Sequence, residues 1–249
     1  MVKGVFEKMT DVKTKSAAAA APKKIKETAG GLLSMGVWIL ISFAAANAAV
    51  LGGLSPFGAA AVAAARRRDA VGAALGAVMG YIFSMSTGNN VRYIAAVLTV
   101  LGLKLVLERF AEGGFVSVLM AAAGTGFAAF GYAAMTTISG YNWGIAAAET
   151  AIAAGSAYFF KRTSTAFEHG KNLAVLSGGD RACVIMTAAI AAASLTGVIV
   201  GGISAGGILA GFAVLVAAGY GKESGGAVAG VATGTAVALS GDMLGTTIS

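Results

Sequence analysis

Four stretches of this chain, residues 28–65, 70–91, 113–148 and 182–221, contain no Asp, Glu, Lys or Arg. A soluble helix needs charged side chains at helical spacing on its outer face, and these stretches supply none. Each is at least as long as the roughly 20 residues that one bilayer crossing takes. The whole chain is 57% hydrophobic and 12% charged, with a mean hydropathy of +0.80, whereas a soluble domain carries roughly 25% charged residues. The expected fold class is all-α: a polytopic membrane protein whose principal partner is the lipid bilayer.

The net charge of +7 would suit a nucleic-acid partner if it were spread over a surface, but it is not. Seven of the eighteen basic residues are the lysines of the first 26 positions, and Arg66, Arg67 and Arg68 form a second cluster beside an apolar run. That placement follows the positive-inside rule, so the reading is a cytosolic N-terminus and no nucleic-acid partner. The basic region is too long, and the apolar stretch after it far too long, for a cleaved signal peptide. One cysteine, Cys183, allows no disulfide within the chain and no cysteine-based metal site.

Residues 1–29 read as a basic cytosolic tail and 30–249 as a multi-spanning membrane domain. Ser55-Pro56 falls where the 36 uncharged residues from Gly30 to Ala65 need a turn. Spans are expected near 31–52, 54–66, 70–87, 91–107, 115–135, 143–160, 182–201, 206–221 and 225–241. Polar residues 161–181, with Lys161, Arg162 and His169, form the longest expected internal loop. About nine crossings from a cytosolic N-terminus place the basic loop residues inside, with Arg66, Arg67, Arg68, Lys161 and Arg162 as topology determinants and Lys104 snorkelling inward. Arg92 alone falls outside. A merely re-entrant second segment would invert everything downstream and destroy this fit.

Glycines recur one helical turn apart at Gly72, Gly76 and Gly80, at Gly197 and Gly201, at Gly207 and Gly211, and at Gly226, Gly230 and Gly234. Small residues at this spacing let helices approach closely, within the chain or between copies in an oligomer. Glu149 lies inside the sixth expected span, where an acid costs about 2.5 to 3.5 kcal/mol on an insertion scale, so it must be neutral, paired or facing a polar cavity. No second buried acid, and no base at matching depth in a neighbouring span, is evident from the sequence. No nucleophile with a base, phosphate loop or paired metal-binding acids can be found, so no catalytic, metal or cofactor-binding residue is assigned.

Four blocks carry a resemblance to a known family. They are Leu54-Ser-Pro-Phe-Gly-Ala-Ala-Ala-Val-Ala-Ala-Ala-Arg-Arg-Arg-Asp69, Ala148-Glu149-Thr-Ala-Ile-Ala-Ala-Gly-Ser156, Cys183 to Gly197, and Gly219-Tyr-Gly-Lys-Glu-Ser-Gly-Gly-Ala-Val-Ala-Gly230. In this order the chain resembles the N-terminal membrane region of the stage II sporulation protein E family of endospore-forming bacteria. The resemblance implies a membrane anchor of about ten spans, followed by a region that engages the cell-division machinery and by a PP2C-class serine phosphatase. In the family that phosphatase acts in activating the forespore sigma factor at the asymmetric septum. This chain is expected to end outside, after its ninth span and ahead of the phosphatase. The implied role is therefore anchoring and localisation at the bacterial plasma membrane, with no catalysis by the chain itself. The alternatives are a small secondary transporter or channel using Glu149 and a purely structural oligomeric scaffold.

Overall fold

The structure, a computed structural model, describes residues 30–50, 53–84, 87–108, 113–136, 139–168, 176–196, 199–200 and 203–240. The backbone divides into two units, Met1–Val37 and Trp38–Ser249. Of the first, residues 30–37 are described and are the opening turns of helix α1 (Gly30–Asn47). The remaining helices belong to the second unit: α2 (Phe57–Ala64), α3 (Ala70–Ser84), α4 (Thr87–Leu107), α5 (Gly114–Thr136), α6 (Gly140–Glu168), α7 (Gly178–Ser194) and α8 (Ala205–Ser240). Among the described residues, three helices are long and apolar enough to cross a membrane: α1, the Asn90–Leu107 part of α4, and α5.

The second expected span needs correction. It is realised as an eight-residue helix, α2, only about 12 Å long and far short of a 30 Å hydrocarbon core. Pro56 occupies its N-cap, and the chain turns extended at Ala65, where ψ is 159°. Every residue of α2 is buried, covered by α3, α4, α5 and α6. Its small side chains are what let four helices close around it. Gly58 shows how closely: a Cβ there would lie 2.6 Å from the Tyr81 hydroxyl.

Contacts along the helices fix their relative directions. Gly76 packs on the Ile39 carbonyl and Gly80 on the Phe43 carbonyl and Ala46, so α3 runs parallel to α1. Tyr93 meets Ser55 while Lys104 meets Ala63, so α4 runs parallel to α2. Tyr81 of α3 stacks on Tyr93 of α4 across their short connection, which makes α3 and α4 antiparallel. It follows that α2 runs opposite to α1. The chain does return between Asn47 and Arg66, through a short helix with non-helical flanks such as the Val50–Leu54 bridge. The flanks next to the helix, Ser55 and Ala65, are fully buried, and irregular backbone is tolerated at membrane depth where protein covers it.

Lys104 does not snorkel. It is fully buried; its ammonium donates to the Ala63 carbonyl at 2.9 Å and to Glu108 Oε1 at 2.5 Å. A cation at a helix C-terminus satisfies a carbonyl the helix cannot and matches the helix dipole. Lys104→Met is expected to cost about 1.5–3 kcal/mol, the usual worth of a charge-assisted hydrogen bond, read as a lower thermal midpoint in detergent.

The expected loop 161–181 is also corrected. Helix α6 is 29 residues long and carries Lys161 and Arg162 on through Glu168, while α7 begins at Gly178 under an N-cap in which Ser177 Oγ accepts from Asp180 N. His169 lies outside the described residues. The glycine-rich divider after α7 contains a two-stranded antiparallel hairpin, β1 (Ile199–Val200) with β2 (Ile203–Ser204), a small departure from an all-α fold. Gly206 then docks on α7, where a Cβ would sit 2.3 Å from the Ala192 carbonyl oxygen.

The last two expected spans fall in one helical run, the 36-residue α8, but it is not a straight rod. Residues eight apart in a straight helix are separated by about 12 Å, yet a Cβ on Gly226 would lie 2.9 Å from the Ala218 Cβ. The run therefore doubles back between Ala218 and Gly226, giving the apolar segments Ala205–Gly219 and Gly226–Leu239.

Candidate functional site

Arg92 stands near the start of α4, and Glu149 stands nine residues into α6, about 14 Å from its beginning. The expectation that Glu149 has no base at its depth is overturned. Arg92 Nη2 lies 3.4 Å from Glu149 Oε2 and 3.5 Å from Oε1, with side-chain exposures of 14% and 2%. These separations exceed the 2.7–2.9 Å of a tight charge-assisted hydrogen bond, so the pair is held mainly by charge. Pairing is what makes a carboxylate tolerable inside a membrane protein.

The guanidinium is tied in by aromatic side chains as well. Its Nη2 donates to the Tyr93 hydroxyl at 2.6 Å, and its carbon lies 4.6 Å from the Tyr93 ring centre and 5.3 Å from that of Tyr132, within cation–π range. The Tyr93 hydroxyl accepts from Ser55 N at 3.1 Å. The Tyr93 ring stacks on Tyr81 with centroids 5.2 Å apart. Tyr81 in turn donates to the Ser55 carbonyl at 2.6 Å and accepts from Gly58 N at 3.2 Å, while Ser55 Oγ donates to the Ala46 carbonyl at 2.8 Å. A continuous polar chain thus runs from the ion pair to the N-terminal end of α2, where a buried helix start would otherwise leave amide groups unsatisfied. Arg92 Nε makes no hydrogen bond among the described residues.

Beside the pair, α4, α5 and α6 enclose a half-open cavity of about 260 Å³. Its walls are Arg92, Tyr132, Thr136 and Asn142 with Ala129, Ala133, Ile145 and Ala146. Thr136 ends α5 and Asn142 lies in the first turn of α6, so the cavity sits at the end of the helix bundle opposite Lys104. Trp143 lies next to it, with its ring 5.6 Å from that of Phe130. Among the described residues no group of three or more His, Cys, Asp or Glu could hold a metal ion.

The opposite end gathers the basic residues named as topology determinants. Arg66 pairs with Glu168 at 2.5 Å, and that carboxylate raises the Arg66 guanidinium further above its ordinary pKa. Arg67 donates to the Leu105 carbonyl at 3.4 Å, and Arg68 lies 3.5 Å from Asp69. Arg162 Nε pairs with Asp180 at 2.6 Å and a further nitrogen donates to the Tyr158 hydroxyl. Arg66, Arg67 and Arg68, the end of α4 and the end of α6 therefore share one end of the bundle.

A family model described as SpoIIE, N-terminal domain matches residues 2–246. The chain belongs to the SpoIIE N-terminal domain family. No curated protein and no solved structure matches it. Family membership and the long apolar helices together make this SpoIIE N-terminal domain a transmembrane region of a sporulation phosphatase family.

The glycines singled out in this SpoIIE N-terminal domain divide by environment. Gly76, Gly80 and Gly226 sit where a Cβ would collide with a neighbour, and Gly72 is buried. A Cβ on Gly207 would touch only the Ser204 side chain, at 3.9 Å, while Gly211, Gly230 and Gly234 meet nothing within 4 Å. Gly197 and Gly201 lie outside the described residues. Sequence reasoning missed Gly58, Gly124 and Gly206, which make equally close approaches; Gly58 and Gly124 have no glycine four residues away, and Gly206, which follows Gly202 at that spacing, was read as part of the glycine-rich divider between spans. It also missed Tyr81 and Tyr93, and read Ser55 as a turn residue without its hydrogen bonds to Tyr93, Tyr81 and Ala46. The one available signal was a tyrosine next to the single misplaced arginine.

Proposed function

We propose that this chain is the membrane anchor and localisation module of a sporulation-type serine phosphatase that acts at the asymmetric septum in forespore sigma-factor activation. It crosses the plasma membrane about nine times from a cytosolic N-terminus, performs no catalysis itself, and brings a PP2C-class domain into reach of the cell-division machinery. The observation that carries the reading is the family match over residues 2–246. The basic residues gathered at one end of the bundle support the orientation. Self-association is a secondary element of the proposal, supported by Gly211, Gly230 and Gly234, which present small surfaces with no neighbour within 4 Å among the described residues.

A transporter using Glu149 has less behind it. The carboxylate is occupied by Arg92 and is not among the residues that wall the cavity. The test is the position of a fusion carrying a fluorescent protein on the N-terminus, in a sporulating host, for the native sequence and Glu149→Gln. Enrichment of both at the polar septum is expected. Uniform membrane fluorescence of the native fusion would remove the localising role, and solute uptake that depends on Glu149 would replace it with transport.

A further inference from the structure

We propose that the cavity between α4, α5 and α6 is an oxyanion-binding site, in which Arg92 holds a phosphate group presented from the side opposite Lys104. The cavity of about 260 Å³ is large enough for one phosphate with a short substituent. A guanidinium offers five N–H donors in a planar fork that matches phosphate geometry. Among the described residues Nη2 is the nitrogen engaged, by Tyr93 and Glu149, which leaves Nη1 for a ligand in the cavity that Arg92 lines, while Nε is enclosed by protein without a hydrogen-bond partner. Thr136 and Asn142 add polar groups to the same wall, and Tyr132 supplies both an aromatic face under the guanidinium and a hydroxyl.

Position supports the assignment. The cavity lies at the level of the α5–α6 connection, beside Trp143, a residue type that collects at the membrane–water interface. Lipid phosphates lie at that depth, and soluble phosphate reaches it from the aqueous side. Both sources present the same chemistry to Arg92.

Glu149 gives the proposal a sign that a purely structural ion pair lacks. Its carboxylate already neutralises Arg92, so an arriving phosphate must share the guanidinium with a competing anion 3.4 Å away. Removing that negative charge while keeping the shape, as Glu149→Gln does, therefore strengthens phosphate binding. Like charges this close repel strongly even when largely screened by water, and the expected gain on removing one is about tenfold in affinity.

The experiment uses the full chain in a neutral maltoside detergent with Trp38→Phe, leaving Trp143 as the single tryptophan reporter. The probes are inorganic phosphate, short-chain phosphatidic acid and, as the phosphate-free control, short-chain diacylglycerol. Saturable quenching by both phosphate probes identifies a site open to free oxyanions, and quenching by phosphatidic acid alone identifies the lipid headgroup as the source; each supports the proposal. Arg92→Gln is expected to weaken binding at least about tenfold and Glu149→Gln to tighten it. Ala133→Leu, which fills the cavity and leaves the ion pair intact, is expected to abolish binding. Should Arg92→Gln fail to fold, the other two variants decide. No saturable response to either phosphate probe, an equal response to diacylglycerol, or an affinity unmoved by both Ala133→Leu and Glu149→Gln overturns the site.

Discussion

Arg92→Leu is expected to lower stability by about 3–5 kcal/mol, because it leaves the Glu149 carboxylate buried and without its counter-charge. The loss also reaches the aromatic network, since the guanidinium no longer donates to Tyr93 or lies over Tyr132. The double variant Arg92→Leu with Glu149→Leu should recover much of the loss, as buried ion pairs replaced by apolar residues of similar volume are often neutral. The measurement is a double-mutant cycle of thermal unfolding in detergent. Additive single effects would show that the pair contributes no coupling, and the polar chain from Glu149 to the start of α2 would then be incidental.

Gly76→Val is expected to be about as damaging through a different cause. A Cβ at this position would lie 2.2 Å from the Ile39 carbonyl oxygen and 2.9 Å from its carbonyl carbon. The obstacle is helix backbone, so no rotamer change relieves it, and α3 has to move away from α1. Overpacking of this kind costs about 3 kcal/mol or more. Gly102→Val, at a position with no neighbour within 4 Å, should cost little beyond a helix-propensity difference and serves as the control. The two are compared by yield of monodisperse protein and by thermal midpoint. Equal behaviour would mean that the α1–α3 approach is not tight.

The uncharged runs read directly as membrane segments because charge is costly in lipid wherever the helix goes, which makes hydropathy independent of tertiary detail. The gathering of Arg66, Arg67 and Arg68 with the end of α6 at one end of the bundle was legible for the same reason. Glu149 was recognisable as an anomaly, but its partner was not. Arg92 is 57 positions away and, counted as a loop charge, looked like an exception to the positive-inside pattern, whereas its side chain is mostly buried against Glu149. The two anomalies explain each other, and only three-dimensional proximity reveals it.

Helix length was the other gap. An alanine-rich stretch such as Phe57–Ala64 has the hydropathy of a crossing, and no one-dimensional average can tell that other helices cover it on every side. Beyond the far end of a crossing, a polar helix and a polar loop have similar composition, which is why residues 161–168 read as loop and are helix. Glycine spacing found Gly76 and Gly80 but could not separate them from Gly230 and Gly234, since the repeat is identical and only the presence of a neighbour differs.

The shortness of α2 constrains how the chain is made. Insertion machinery accepts a segment on the strength of its own apolar length, and an eight-residue helix with open backbone on either side has too little. The groups that satisfy it, Tyr81, Tyr93 and Lys104, are synthesised after it. Helix α2 is therefore settled late, once α4 has arrived, and newly made protein passes through an interval in which its first helix is formed and α2 is not yet enclosed.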